Sequence, residues 1–396
     1  MKSNIVFAED VPNREKLVNK VREEFKLQFN NELENITLTP GRINIIGEHT
    51  DYNNGLAMPS AINRWMCAAI CRSNNESSTI YSLNYNESIL ITNHVQDKFQ
   101  EIWKQLAVAS IQVLSAEFDI VEGVNMAIGG DIPIGCGLSS SSAFVISITH
   151  TFCRLFSIQI EGRKLATICQ NIENRALGTA IGLLDQYGII LSKKDNFMII
   201  DFQNDSIKYI PSSLHECSWV VITSQIQREL SNSAYLQRVT ECNEGLKIMK
   251  EKFKLSTLRD VNTIMLNKLK NEYNVLYKRL SHVLGENARV RDMIDQMEKG
   301  AADNVGIILQ ESHKSLKSLY EVSCKEIDYI INLSESFYGW YGGRILGGGF
   351  GGSSVHLIDN HAIEGFEKYI TVNYTEKFDI IPKILKVTFP GGLQHL

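Results

Sequence analysis

The stretch PGRINIIGEHTDYNNGLAMPSAI, residues 40–62, carries more information about fold and chemistry than any other part of the chain. It opens with alternating side chains over 42–46, a pattern that predicts a β-strand. A dense polar group follows, and its members are Glu48, His49, Asp51, Tyr52 and Asn53. Carboxylate and amide oxygens accept hydrogen bonds from hydroxyl groups, so this group suits a sugar site. The same residue types also suit a turn in which Asp and Asn bond to their own backbone, and the stretch by itself leaves both interpretations open.

A second stretch, GGDIPIGCGLSSSSA at residues 129–143, combines glycines with four consecutive serines. Glycines let the backbone approach an anion closely. The serines stand where an apolar, helix-spaced run begins at Ala143, and a helix start offers unbonded N–H groups and a positive dipole end to phosphate. The Gly-Lys-Ser/Thr of a Walker loop and the glycine spacing of a dinucleotide site are both missing. The alternative is an ordinary helix with a serine cap.

Bulk composition narrows the class of protein. The chain has 396 residues, 44% of them hydrophobic, which is enough for two or three domain-sized units. Its 40 basic and 45 acidic residues give a net charge of −5, so electrostatics offers no reason to expect nucleic acid or an anionic membrane as partner. No apolar run predicts a membrane span, and the first residues do not resemble a secretory signal. The eight cysteines form no CxxC pair, and we therefore expect free thiols in a reducing cytoplasm.

The spacing of apolar residues predicts a mixture of strands and helices. Short β-branched stretches predict strands over 89–92, 124–128, 197–201 and 219–223. Helical spacing predicts helices over 13–29, 97–117, 141–156, 160–176, 233–252 and 276–286. Because the two types do not alternate strictly, the prediction is an α+β fold rather than a doubly wound parallel sheet. The polar segment 204–213 is the predicted passage between two halves.

With the run GGGFGG at 347–352, these stretches resemble the three motifs of the GHMP small-molecule kinases. Residues 40–62 follow the signature of one branch, the galactokinase family, almost position by position. Mevalonate and homoserine kinases do not carry the EHTDY sequence. Similar segments continue along most of the chain, at 170–174, 182–187, 228–235, 282–290, 311–316 and 320–324.

The resemblance implies a two-domain α+β architecture of mixed sheets and helices, with the active site in the cleft between the domains. We place the N-terminal domain at 1–205 and the C-terminal domain at 206–396. The implied reaction is ATP-dependent phosphorylation of D-galactose at the C1 hydroxyl, with Mg²⁺ as cofactor. The expected partners are galactose and ATP, with no nucleic acid and no membrane, and the expected state is a cytoplasmic monomer or weak dimer.

The resemblance also assigns roles to individual positions of this chain. Asp185 is the implied base for the C1 hydroxyl, and Arg42 is the cation that stabilises the developing charge. The residues implied for the sugar are Glu48, His49, Asp51, Gly182 and Tyr235. Those implied for the nucleotide are Gly135, Gly137, Leu138, Ser139, Ser140, Ser141 and Ser142, with Trp103 near adenine, and those for Mg²⁺ are Ser141 and Glu173. Without the resemblance, Asp185 is interpreted as a helix-cap or turn residue. For Trp103, an ordinary core aromatic is as good an interpretation as a residue near adenine.

Two further functions stay open at this point. Ser142 stands where many galactokinases have alanine, and the N-acetylgalactosamine kinase branch also has four serines there. The sequence therefore leaves N-acetylgalactosamine or another related aldose open as the sugar. A non-catalytic sensor of sugar and ATP predicts a damaged phosphate loop or a missing base. Because Arg42, Glu173 and Asp185 are all present, the sequence favours an enzyme.

Overall fold

The computed structural model describes residues 13–92, 99–178, 181–212, 214–226 and 231–396. Three parts of the sequence predictions lie outside these ranges. They are residues 97 and 98 of a predicted helix, residue 213 of the predicted passage, and residues 228–230 of a family-like segment.

The strands form three sheets. In chain order they are β1 (Asn35–Asn44), β2 (Leu56–Ala57), β3 (Pro59–Arg72), β4 (Ser78–Ser82), β5 (Glu87–Ile91), β6 (Val124–Gly130), β7 (Asn196–Asp201), β8 (Ser206–Pro211), β9 (Cys217–Thr223), β10 (Trp340–Ile345), β11 (Ser353–Asp359), β12 (Lys383–Val387) and β13 (Gln394–His395). The strand orders are β13-β1-β3-β6-β4-β5, β10-β11-β9-β12 and β2-β7-β8. Within the described residues every neighbouring pair is antiparallel except β4 and β6.

The helices cover both faces of the larger sheets. They are α1 (Arg14–Phe29), α2 (Ile102–Glu117), α3 (Ser140–Leu155), α4 (Gly162–Leu177), α5 (Leu184–Ile190), α6 (Ser231–Lys252), α7 (Thr263–Leu266), α8 (Asn274–Glu298), α9 (Ala302–Ser315), α10 (Lys325–Ser334) and α11 (Ile363–Phe378). A short π-helix, Leu316–Tyr320, continues α9. No helix of the described part is both long and apolar enough to cross a lipid bilayer.

Strand β3 lies inside the largest sheet and is buried on both faces. Trp65 and Cys67 pack on the α1 side, where Phe25 is buried with them. Met66 and Ala68 point to the opposite side and join the main core, which includes much of α3. Because both faces are apolar, β3 lacks the period-two pattern of a half-exposed strand, and the sequence analysis did not predict it.

Most of the predicted elements are present with shifted ends, and the α+β prediction is confirmed. Three predictions are wrong in their limits. The helix predicted over 97–117 begins only at Ile102, as α2. The helix predicted over 276–286 continues to Glu298 as α8. The strand predicted over 42–46 ends at Asn44, and residues 36–44 of β1 are all buried, so the alternation does not mark an exposed face.

The residue limits of the two domains stay a prediction, and two contacts cross them. The predicted boundary between 205 and 206 falls in the turn between β7 and β8, which are paired. At the end of the chain, β13 returns to pair with β1, so that Leu38 faces Gln394. The C-terminal residues therefore complete a sheet built from the N-terminal part.

Helix α9 and strand β10 approach closely through glycine. A Cβ added at Gly306 would lie 2.1 Å from the carbonyl oxygen of Tyr341. We expect Gly306→Ala to lower the free energy of unfolding by about 1–3 kcal/mol, because helix and strand must separate to admit the methyl group. Urea denaturation of the two proteins measures the difference.

A matched control lies in α11. Gly365 is exposed, and a Cβ there would meet the Phe337 ring at 3.4 Å. Gly365→Ala is expected to be neutral or to stabilise by up to about 1 kcal/mol through helix propensity. Wild-type stability for Gly306→Ala would contradict the close packing of α9 on β10.

Candidate active site

The predicted site residues come together around one cavity of about 760 Å³. The predicted residues that line it are Arg42, Glu48, His49, Asp51, Trp103, Gly135, Gly137, Ser139, Ser140, Ser141, Ser142, Glu173, Gly182, Asp185 and Tyr235. Leu138 is not among them, because its side chain is fully buried in the core. Its carbonyl oxygen instead accepts a hydrogen bond from the Arg42 backbone N–H at 3.3 Å.

Both carboxylate oxygens of Asp185 are held by hydrogen bonds. Asp185 lies in the first turn of α5, and the Arg42 guanidinium reaches it from β1. Arg42 Nε donates to Oδ1 at 2.9 Å, and Nη2 donates to the same oxygen. Ser139 Oγ donates to Oδ2 at 2.6 Å. The carboxylate is thus oriented and paired with a cation, and each oxygen keeps lone pairs for a further donor.

The serine loop does not cap its helix with a side chain. Ser139 occupies the cap position of α3 in a left-handed conformation, with φ 59° and ψ 42°. Its hydroxyl bonds to Asp185 and makes no cap hydrogen bond. Gly135 and Gly137, with φ of 74° and 76°, shape the turn before it. The serine-cap alternative therefore does not hold, and the N–H groups of the first helical turn are free of a side-chain cap where the cavity begins.

Glu173 is a buried carboxylate on α4, only 1% exposed. Ser142 Oγ donates to its Oε1 at 3.0 Å, and Gln186 Nε2 donates to its Oε2. Burial raises the pKa of Glu173 to about 7, and the negative charge of Asp185 adds to the rise. The hydroxyls of Ser142 and Ser141 and the Gln186 amide act in the opposite direction. The hydrogen bond to Glu173 comes from Ser142, next to the serine that the sequence analysis singled out.

The donors around Glu173 fit a hard divalent cation. A carboxylate and serine hydroxyls supply the oxygen ligands that Mg²⁺ prefers. Within the described residues, no group of three or more His, Cys, Asp or Glu side chains could hold a metal ion by itself. A metal at Glu173 would therefore need further oxygens from phosphate and water, which is the usual manner of Mg²⁺ binding in kinases.

Residues 47–56, the polar loop between β1 and β3, form the other wall of the cavity. Glu48 Oε1 accepts hydrogen bonds from the Gly347 N–H at 2.8 Å and from Arg344 at 3.2 Å. His49 Nδ1 lies 2.8 Å from the Tyr52 hydroxyl, and its ring centroid is 5.7 Å from that of Tyr235. These contacts fix a set of acceptors and aromatic surfaces that face the same space as Asp185.

Asp51 and Gly182 meet at the edge of this wall. A Cβ added at Gly182 would lie 2.0 Å from Asp51 Oδ2, so a side chain at this position would displace the Asp51 carboxylate. Burial raises the pKa of Asp51 to about 7, and the negative charges of Asp185 and Glu48 add to the rise. A hydrogen bond from the Tyr52 N–H acts in the opposite direction. Water still reaches part of this side chain through the cavity.

The Trp103 ring stacks on Tyr85, with ring centroids 5.5 Å apart and an interplanar angle of 13°. Trp103 is 4% exposed and also belongs to the main core cluster. The core interpretation of Trp103 therefore agrees with its position, and its contact with adenine stays a prediction. Both aromatic residues line the cavity.

The sequence analysis gave no role to several residues that shape the site. They are His282, Glu286, Asn287, Tyr320, Arg344 and Gln186. Helix α8 carries three of them on the face that also buries Val283 and Val290. Polar residues at positions where helical spacing expects apolar ones were the available signal.

Comparison with known proteins agrees with this geometry. The galactokinase galactose-binding signature matches residues 23–72, the GHMP kinase N-terminal domain matches 105–193, and the GHMP kinase C-terminal domain matches 293–371. The galactokinase of Thermosipho africanus is 32% identical over 358 residues, which cover 90% of this chain and 98% of that protein. The galactokinase of Pyrococcus furiosus is 34% identical over 356 residues, covering 90% and 97%.

Solved structures extend the likeness to three dimensions. Lactococcus lactis galactokinase complexed with galactose superimposes with a TM-score of 0.90 at 27% identity, covering 96% of this chain and 99% of that one. Mevalonate kinase of Methanococcus jannaschii shares the fold, with a TM-score of 0.63 at 18% identity over 89% of this chain and 98% of that one. The two-domain GHMP kinase architecture expected from the sequence is thereby confirmed. From its identity to curated relatives over nine-tenths of its length, the chain belongs to the galactokinase family of the GHMP kinases.

Proposed function

We propose that this protein transfers the γ-phosphoryl group of ATP to the C1 hydroxyl of D-galactose, giving galactose 1-phosphate and ADP. One observation carries the proposal. The Asp185 carboxylate, oriented by Arg42 and Ser139, lies between the polar loop 47–56 and the serine loop before α3, in a single cavity. An acceptor hydroxyl and a phosphate can therefore meet beside a fixed carboxylate.

Asp185 acts in this proposal as the acceptor of the C1 hydroxyl proton. A carboxylate held within hydrogen-bond reach of the hydroxyl orients it toward phosphorus and takes its proton as the bond forms. Arg42 keeps Asp185 paired and faces the developing negative charge. The N–H groups at the start of α3 receive phosphate oxygens. Mg²⁺ held by Glu173 together with Ser141 or Ser142 would neutralise charge on the phosphate oxygens.

The sugar lies against the polar loop in this proposal. Glu48 and Asp51 accept hydrogen bonds from sugar hydroxyls, and His49 and Tyr235 supply further polar contacts beside an apolar ring surface. Gly182 leaves room next to Asp51. A site of this kind discriminates against sugars that lack a hydroxyl, because its own buried polar groups would lose their partner.

The nucleotide occupies the opposite end, with adenine at the Trp103 and Tyr85 surface.

The buried thiols of Cys67, Cys153 and Cys169 support our inference of a reducing cytoplasm as the location. The expectation of a monomer or weak dimer stays a prediction.

The reaction itself is tested by ADP release. Purified protein with ATP and Mg²⁺ is incubated with galactose, N-acetylgalactosamine, glucose, mannose or arabinose, and ADP is followed with a coupled assay. We expect the highest kcat/KM with galactose. If no sugar releases ADP, the enzyme proposal fails, and a clear preference for N-acetylgalactosamine would move the assignment to that sugar.

The role of Asp185 is tested by Asp185→Asn. The amide keeps the size of the side chain and loses the proton acceptor, so we expect kcat to fall by about 10²–10⁴-fold. Calorimetry should still detect ATP binding. Asp292→Asn, on the exposed surface of α8, is the control and should keep wild-type turnover. An active Asp185→Asn enzyme would exclude the base role.

The raised pKa of Asp51 predicts a pH dependence of stability. The folded protein holds a proton on Asp51 up to about pH 7, whereas an unfolded aspartate releases it near its ordinary value of 3.8. Stability from this group is therefore lost as the pH rises between these two values. We expect ligand-free Asp51→Asn to melt at a higher temperature than wild type at pH 8, with a smaller difference at pH 5. A melting-temperature difference that stays constant over this pH range would contradict the raised pKa of Asp51. Glu173, whose pKa is also raised, contributes equally to both proteins.

A further inference from the structure

Arg344 is a fully buried cation on β10 with most of its donors in use. Its side chain reaches the start of the polar loop. Nε donates to the Ile45 carbonyl at 2.8 Å, and Nη2 donates to the Asn44 carbonyl. Nη1 donates to the carbonyl of Ile345 at 2.7 Å, and Nη2 also lies 3.2 Å from Glu48 Oε1. The guanidinium thus joins the C-terminal sheet to the end of β1 and to one site carboxylate.

The Glu48 carboxylate is held on one side only. Among the described contacts, both of its hydrogen bonds, from Arg344 and from the Gly347 N–H, go to Oε1. Glu48 is 5% exposed, and it lines the cavity. A carboxylate buried to this degree is costly unless it is paired, and Arg344 provides the paired charge. Oε2 is left to accept a hydrogen bond from a ligand.

Helix α8 fixes the backbone that carries Glu48. His282 Nε2 lies 3.1 Å from the Glu48 carbonyl oxygen, and Glu286 Oε1 accepts the N–H groups of Gly47 and Glu48 at 3.1 and 3.4 Å. Burial raises the pKa of Glu286, but Arg289, His282 and Arg344 outweigh it and bring the pKa down to about 2. With the backbone fixed by α8, the orientation of the Glu48 side chain depends on Arg344 and Gly347.

We propose that Arg344 is a positioning residue for sugar recognition, which fixes Glu48 so that its Oε2 accepts one particular hydroxyl of the sugar. This inference rests on the proposed function. Arg344 touches neither sugar nor phosphate. Of the hydrogen-bond partners described for Arg344, only Glu48 lines the cavity. Losing Arg344 therefore impairs recognition of the hydroxyl that Glu48 binds and leaves the other hydroxyls and ATP unaffected.

Monodeoxygalactoses identify that hydroxyl. The kcat/KM values of wild type, Glu48→Gln and Arg344→Lys are measured with galactose and with its 2-, 3-, 4- and 6-deoxy derivatives. With galactose, we expect each variant to lose about 10- to 100-fold, the effect of one hydrogen bond to a charged group. One deoxy sugar should abolish the penalty of Glu48→Gln, and the same deoxy sugar should abolish the penalty of Arg344→Lys. The KM for ATP should stay within about twofold, a small effect beside one such hydrogen bond.

Arg259→Lys is the matched control. Arg259 also pairs with a carboxylate, that of Asp201 in β7, and neither residue lines the cavity. It should show no dependence on the sugar. If Arg344→Lys does not fold, Arg344→Gln is measured by sugar-binding calorimetry with the same derivatives. A loss that is equal for all sugars, a loss that follows a different hydroxyl from Glu48→Gln, or no loss overturns the proposal. An inactive wild type with every sugar would instead refute the proposed function.

Discussion

Four carboxylates, those of Glu48, Asp51, Glu173 and Asp185, face one cavity, and balancing their charge is the constraint on which the site depends. Arg42 pairs with Asp185, and Arg344 pairs with Glu48. No ion pair of the described residues neutralises Asp51 or Glu173, and burial raises the pKa of each to about 7. Sugar hydroxyls that donate to Asp51 would favour the ionised form of its carboxylate. A divalent cation bound at Glu173 would do the same for that carboxylate. The two carboxylates without a cation are thus the ones for which the proposed ligands supply the missing partner.

This arrangement explains why the backbone around the cavity is so constrained. Glycine at 182 leaves the space that the Asp51 carboxylate occupies. Ser139 adopts a left-handed conformation that sends its hydroxyl to Asp185 instead of the helix end. Both positions cost conformational freedom or strain: Ser139 places a hydroxyl on the Asp185 carboxylate, and Gly182 makes room for the Asp51 carboxylate. The unusual backbone at these two positions is therefore explained by the buried carboxylates beside them.

The sequence was sufficient to predict the cavity's main residues, because the motifs around Arg42, Ser139 and Asp185 are short and continuous. It was also sufficient for the α+β class. It failed for β3, whose two apolar faces hide the strand period, and for the C-terminal half of α8. It gave no role to Arg344 or Glu286. Their partners in and just before the polar loop lie 238 to 300 positions away, and only the folded chain brings them together.

The site residues fall into two groups, and elements from different parts of the chain hold each group in place. The side chains proposed for the phosphate, Arg42, Ser139, Glu173 and Asp185, bond to one another and to neighbours within residues 42–186. One C-terminal contact supports their loop, because Ser353 Oγ donates to the Cys136 carbonyl at 2.7 Å. The sugar side depends on α8 and β10, which reach the polar loop from the C-terminal part. A change in α8 or β10 can therefore alter how sugar hydroxyls are held while the base and the phosphate loop keep their contacts. Under the proposed function, contacts from the C-terminal part to the polar loop therefore govern the choice of sugar, and the N-terminal part holds the groups that take part in phosphoryl transfer.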